Sequence, residues 1–299
     1  MKKTIIVVVI IALVGVGVYF MTRGSSQDVS TNQNNQNTNT DATPSQANQN
    51  QAPIDDGKTV IGRSVEGRDI TAYHFGNGDT EILLIGGIHG GYSWNTALVA
   101  YQAMDYLKAN LSTIPDNIKV TVIPLLNPDG LNKVVGTTTG FTQADVKGDT
   151  VVGRFNANDV DLNRNFDCDW QTVGKWQNKT VSGGSEVFSE PESRAVKNYV
   201  ETKKPAAVVV WYSAAGGVYA SSCHNGVLAE TDTLTKTYAD ASGYPAYKEF
   251  DFYAITGDMV NWFAKNNIPA ISVLLTNHTN TEWIKNQAGI EALLKYYSE

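Results

Sequence analysis

Two cysteines and four histidines are all that 299 residues carry. A framework of several disulfides and a large multi-histidine metal cluster are both excluded by that scarcity. Charge is sparse at 18%, and acids outnumber bases to give a net charge of −7. No basic stripe appears anywhere, so nucleic acid is not an expected partner, because phosphate binding needs clustered Lys and Arg. No internal repeat is present. The Gly-x-Ser-x-Gly elbow of a serine hydrolase is missing too, which leaves Ser93 and Ser213 without the setting a nucleophilic serine needs.

One long apolar run does exist. Thr4 to Met21 holds about 18 residues without a charge, about the minimum to cross a bilayer core of ~30 Å. Lys2 and Lys3 precede it and Arg23 follows it, an asymmetry that places the remainder of the chain outside the cytoplasm. Residues 1–23 are thus expected to be a membrane anchor. The alternative is a cleaved signal and a secreted protein, but no small-x-small site ends the run. Residues 24–55 are Asn, Gln, Ser and Thr with few apolar side chains, the composition of a disordered linker. Residues 56–299 remain for a single α/β domain. Outside the cytoplasm, Cys168 and Cys223 are expected to form a disulfide; two unrelated buried thiols are the alternative.

Short β-branched runs alternate with helical spacing through this domain. Strands are predicted at 59–63, 69–75, 81–85, 118–126, 206–211 and 270–275. Helices are predicted at 94–110, 190–203, 258–265 and 281–297, the first capped by Ser93 or Asn95. Buried strands alternating with helices imply a largely parallel, mixed sheet covered by helices on both faces. Ligands of such folds sit beyond the carboxyl ends of the strands. His89, Asn127, Tyr212 and Leu275 all fall at or just past such ends.

Asn163 and Arg164 lie together in a segment without periodicity, with Arg154 ten residues earlier. Guanidinium forks fit carboxylates in two-point fashion, and an amide adds a donor. The three could clamp a terminal carboxylate. Equally, Arg164 could pair with Asp159, Asp161 or Asp167 as an ordinary loop ion pair.

Gly153-Arg154-Phe155-Asn156 and Val160-Asp161-Leu162-Asn163-Arg164-Asn165-Phe166 together resemble the M14 zinc carboxypeptidases, bacterial branch. Asn127-Pro128-Asp129-Gly130, Phe188-Ser189-Glu190-Pro191-Glu192 and Tyr253-Ala254-Ile255-Thr256-Gly257-Asp258 resemble further family segments, in the family's order. The resemblance runs from about Val60 to the C-terminus. It implies that Asn163 and Arg164 bind a substrate's C-terminal carboxylate, that Arg154 holds the developing oxyanion, and that Tyr253 caps the bound end. It implies peptides or cell-wall stem peptides as partners.

It also implies zinc, held by two His and one Glu, with a second Glu as general base. Here this sequence departs. Gly86-Gly87-Ile88-His89-Gly90-Gly91-Tyr92-Ser93 supplies the first ligand as His89, but the acid's place is taken by Tyr92 or, with one extra residue, Ser93. Tyr212 stands where the second His belongs. Leu274, or Leu275, stands where the general base belongs. A phenol or neutral hydroxyl is a poor zinc ligand beside imidazole or carboxylate. The expectation is a degenerate peptidase that keeps C-terminal recognition and binds no zinc. The alternative is an active zinc carboxypeptidase with an altered metal site, drawing on His224 or His278. His74 is expected to be a strand residue without a role in the site.

Overall fold

Apolar side chains alternate sides along the central strands, and this sorts the interior into two cores. The structure is a computed structural model and describes residues 57–299. The expected anchor at 1–23 and linker at 24–55 lie outside the described residues. In chain order the strands are β1 Lys58–Arg63, β2 Asp69–Phe75, β3 Thr80–Ile85, β4 Ile118–Ile123, β5 Val173–Trp176, β6 Lys179–Ser182, β7 Ala207–Ser213, β8 Gly217–Ala220, β9 Ala246–Tyr247 and β10 Ala270–Leu275. The α-helices are α1 Trp94–Ala109, α2 Pro128–Val135, α3 Pro191–Lys203, α4 Ala229–Ser242, α5 Met259–Lys265 and α6 Trp283–Ser298.

Eight strands make one sheet in the order β1-β2-β4-β3-β7-β10-β8-β9. The central neighbours β4, β3, β7 and β10 run parallel. Antiparallel pairing flanks them, with β1 and β2 at one side and β8 at the other. β5 and β6 form a separate hairpin.

Leu83, Ile85, Val208 and Val210 face one core with Val196 of α3 and Phe263 of α5. Ile82, Leu84, Val209 and Val273 face the other with Val99 of α1, Leu234 of α4 and Ile290 of α6. A period of two along each strand produces this division. Helices therefore cover both faces, as a buried parallel sheet requires. Full burial of each such side chain contributes about 1.5–3 kcal/mol.

Three expectations need correction. The strand predicted to reach residue 126 stops at Ile123. Asn127-Pro128-Asp129-Gly130, outside every predicted helix, opens one, α2, with Asn127 Oδ1 accepting from Gly130 N at 2.8 Å. Pro128 sits at the first turn, where its missing N–H costs nothing. Ser93 precedes α1, but its side chain makes no cap hydrogen bond. No helix among the described residues is long and apolar enough to cross a membrane.

Candidate functional site

The loops after β3, β7 and β10 open onto one cleft of about 1110 Å³. Its lining includes His89, Tyr92, Arg154, Asn163, Arg164, Tyr212, Tyr253, Leu274 and His278. Residues from distant parts of the chain thus meet where the strand ends converge.

The turn after β3 depends on glycine. Gly90 has φ +40°, and a Cβ there would come within 2.7 Å of Leu131 N. Only glycine fits that backbone and that approach. The turn puts His89 and Tyr92 at the cleft. Ser93 is not at the cleft: it is 1% exposed and its Oγ has no hydrogen-bond partner among the described residues. Of the two residues expected in the acid's place, Tyr92 lines the cleft and Ser93 does not. Tyr92 packs edge-on to Trp176, ring centroids 4.9 Å apart, and 4.5 Å from His278.

Strand register decides the other two positions. Leu274 lies directly beside Tyr212 in the parallel pair β7–β10. Leu274 lines the cleft, whereas Leu275 turns into the opposite core. Tyr212 is buried, and its hydroxyl donates to Asn163 Oδ1 at 3.1 Å. Burial, and then the nearby charge of Asp258, push its phenol well above the usual range, so it stays protonated.

His89 Nε2 lies 3.3 Å from Asp161 Oδ1, but neither ring nitrogen makes a well-formed hydrogen bond. Burial, reinforced by the charge of Arg154, lowers its pKa to about 4. The imidazole is therefore neutral at pH 7. Arg154 is buried against Asp161, with Nε and Nη2 both donating to Oδ2 at 2.9 and 2.7 Å. Trp176 and Tyr92 stack on the guanidinium, at 4.3 and 5.5 Å from Cζ to the ring centroids. Burial works to raise the Asp161 pKa, but the charge of Arg154 and contact with His89 bring it well below the usual carboxylate range.

Arg164 is 1% exposed and makes no ion pair with a carboxylate among the described residues. The acids near it in sequence are engaged elsewhere: Asp159 with Lys133, Asp161 with Arg154 and His89, Asp167 with Lys265. Arg164 instead donates from Nε and Nη2 to Lys175 O, and from Nη1 to Asn163 O. A guanidinium has five N–H donors, so three are spent and two remain. Tyr253 stands with its ring centroid 6.0 Å from Arg164 Cζ. Asn163 gives one amide hydrogen to Asp258 Oδ2 at 2.7 Å, and its Oδ1 also accepts from Met259 N. Burial raises the pKa of Asp258.

A second glycine fixes this arrangement. Gly257 has φ +63°, and a Cβ there would lie 2.2 Å from Arg164 O. The close approach that glycine allows lets Phe166 N donate to Gly257 O and Gly257 N donate to Cys168 O, which holds the Tyr253-to-Asp258 segment against the Arg164 loop. Cys168 and Cys223 are joined as a disulfide with Cα atoms 6.2 Å apart. The bridge ties the Arg164 loop to the segment after β8. Asp169 and His224 flank it, and the four possible ligand atoms lie within 4.8 Å of one another. With both sulfurs bonded to each other, no thiolate is available there. His224 pairs with Asp169 and does not line the cleft. Nor does His74, whose ring nitrogens meet Thr59 and Thr121 hydroxyls at 3.0 Å.

Sequence reading missed Asp161 as the partner of Arg154 and His89, Trp176 as the stacking surface, and Asp258 as the partner of Asn163. Asp258 carried a signal, since it precedes a helix and caps it at Asn261 N. Trp176 carried none, because the hairpin that bears it has no fixed relation to the sheet in sequence.

Residues 47–293 match the family model described as zinc carboxypeptidase, and the chain belongs to that family. It is 26% identical over 204 residues to the human carboxypeptidase N catalytic chain, covering 64% of this chain and 42% of that one. It is 29% identical over 154 residues to bacteriocin BCN5 of Clostridium perfringens, covering 49% of this chain and 15% of that one. The chain thus spans less than half the length of these relatives. Among solved structures, carboxypeptidase A from Helicoverpa armigera superposes with a TM-score of 0.61 at 20% identity, over 81% of this chain and 66% of that one. Murein-tripeptide amidase MpaA from Escherichia coli O157 does so with 0.57 at 22%, over 80% and 92%. These two likenesses establish the fold.

Proposed function

We propose that this protein binds the C-terminal carboxylate of a peptide without cutting it, and that residues 1–23 anchor it to the membrane with the domain outside. The observation that carries this reading is the contrast within one cleft. The donors of Arg154, Asn163 and Arg164 line it together with Tyr253, and so do Tyr92, Tyr212 and Leu274, the residues that stand where the resemblance expects two zinc ligands and a general base.

Zinc does not fit this donor set. Of the four residues at the places the resemblance assigns to zinc ligands and base, His89 alone is a good ligand. Tyr212 is a protonated phenol committed to Asn163, and Tyr92 is packed between Trp176 and His278. Leu274 offers no atom to a metal or a proton. With Leu274 where the resemblance expects the general base, Arg154 could stabilise negative charge but would have no carboxylate there to activate water. One observation favours the alternative of an altered metal site: Nδ1 of His89 is buried without a hydrogen-bond partner. The fold shared with a murein-tripeptide amidase makes a cell-wall peptide a reasonable ligand class.

Calorimetric titration of the purified full chain tests the reading, using short peptides with free or amidated C-termini. A hydrogen bond to a charged group contributes about 1.5–3 kcal/mol, so the free carboxylate should bind about 10- to 150-fold tighter. Arg164→Ala should abolish the preference. Equal affinities for the two peptides, or release of the terminal residue that a chelator stops, would defeat the proposal.

A further inference from the structure

Ser213 and His278 both line the cleft, with Ser213 Oγ 3.0 Å from His278 Nδ1. The pair has the look of a nucleophile and its base. Hydrogen-bond direction shows otherwise. Asn95 Nδ2 donates to two backbone carbonyls, Asn277 O at 2.9 Å and Asn280 O at 3.0 Å. Carbonyl oxygens only accept, so the Asn95 amide can face only one way. Its Oδ1 therefore faces Ser213 Oγ, at 3.1 Å. An amide oxygen also only accepts, so the single hydroxyl proton of Ser213 belongs to Asn95. Ser213 Oγ is left to accept from His278 Nδ1–H.

This relay fixes the tautomer of His278. Burial, and then the charge of Arg154, lower its pKa below the ordinary histidine value, so the ring is neutral at pH 7. With the proton on Nδ1, Nε2 carries a bare lone pair. No described residue donates a hydrogen bond to it. The ring is half-buried in the cleft wall, 4.5 Å from the ring of Tyr92. Arg154 stacks on the same tyrosine at 5.5 Å. Because Arg154 spends Nε and Nη2 on Asp161, its Nη1 donors remain. A pair of donors and one neutral acceptor thus share Tyr92 as a neighbour. A peptide backbone offers the complement, a carbonyl and an N–H.

We propose that His278 Nε2 accepts a hydrogen bond from a backbone N–H of the bound peptide, while Arg154 Nη1 donates to a carbonyl of the same peptide and Tyr92 supplies the surface between them. The ligand is then read as a peptide and not merely as a carboxylate. Ser213 and Asn95 are positioning residues: they act through the imidazole. The inference rests on the peptide-binding reading above and adds the group that recognises the main chain.

The experiment compares a free-acid tetrapeptide with depsipeptides in which one amide N–H at a time is replaced by an ester oxygen. Binding to the full chain is measured by calorimetry. One ester should bind wild type about fivefold to tenfold more weakly than the amide, the loss expected for one neutral hydrogen bond. In His278→Ala that difference should vanish. Esters that all bind wild type like the amide, or a deficit that persists in His278→Ala, overturn this inference alone. A parent tetrapeptide that does not bind at all overturns the peptide-binding reading and this inference with it. Long-range proton–nitrogen NMR of the wild-type chain gives a check that needs no variant. A proton on Nδ1 and none on Nε2 is expected; the reverse overturns the proposal.

Discussion

Arg154 and Asp161 are joined through a single carboxylate oxygen: Nε and Nη2 of the arginine both donate to Oδ2 of the aspartate, at 2.9 and 2.7 Å. The other oxygen of the same carboxylate lies 3.3 Å from His89 Nε2. One buried acid therefore holds Arg154 and lies against His89.

Removal of that acid should be costly. In Asp161→Ala, Arg154 stays buried with its charge uncompensated, a situation that costs about 3–5 kcal/mol. Urea unfolding of the variant measures it. A loss under about 1 kcal/mol would mean that Arg154 finds water or another partner when Asp161 is gone.

Stability should fall on mild acidification. His89 has a folded pKa of about 4 against 6.5 for the unfolded chain. The unfolded state therefore binds more protons between these values, and stability rises with pH across that window. From pH 7 down to pH 4 the contribution lost is on the order of 3 kcal/mol, at 1.36 kcal/mol per pKa unit. His278 is shifted the same way and adds a loss of the same sign. In His89→Gln, a series of urea melts between pH 7 and pH 4 should show a much flatter dependence. An unchanged slope in that variant would assign the proton uptake elsewhere.

The disulfide closes a loop spanning 55 residues. Chain entropy alone assigns such a closure about 4 kcal/mol. The double variant Cys168→Ser with Cys223→Ser should unfold at correspondingly lower denaturant. Because the bridge holds the Arg164 loop to the end of β8, peptide affinity should drop as well. Unaltered affinity would show that Gly257 and its contacts suffice to hold Arg164 in place.

Metal binding should be recoverable by design. Tyr92→Glu combined with Tyr212→His would place a carboxylate and an imidazole beside His89, a donor set that suits zinc. The double variant should retain about one equivalent of zinc through dialysis, where the wild-type chain retains none. Comparable zinc retention by both chains would show that the wild-type cleft already holds the ion through other side chains.

Much of this arrangement is legible in the chain. Alternation along β3 and β7 marks the buried strands, since side chains two apart share a face. The converging strand ends place His89 and Tyr212 at one site from local pattern alone. The stretch from Arg154 to Arg164 offers guanidinium and amide donors by residue type, and the family resemblance implies carboxylate binding for them. Helix α4 escapes such reading because Ala and Thr leave Leu234 and Tyr238 as its only large apolar side chains; it packs against α6, β8 and β10. Local spacing does not separate Ser93 from Tyr92 as the residue in the acid's place, because a loop has no period from which to count.

Sequence alone determined the family and the layered fold, because these depend on residue type and local spacing. Tertiary structure decided which partners neutralise the buried charges. Asp161 serves Arg154 rather than Arg164, Trp176 arrives from a detached hairpin, and Asn95 sets the proton on His278 from 183 positions away. Hydrogen bonding and stacking act over a few ångströms in space, and no spacing along a chain encodes that distance.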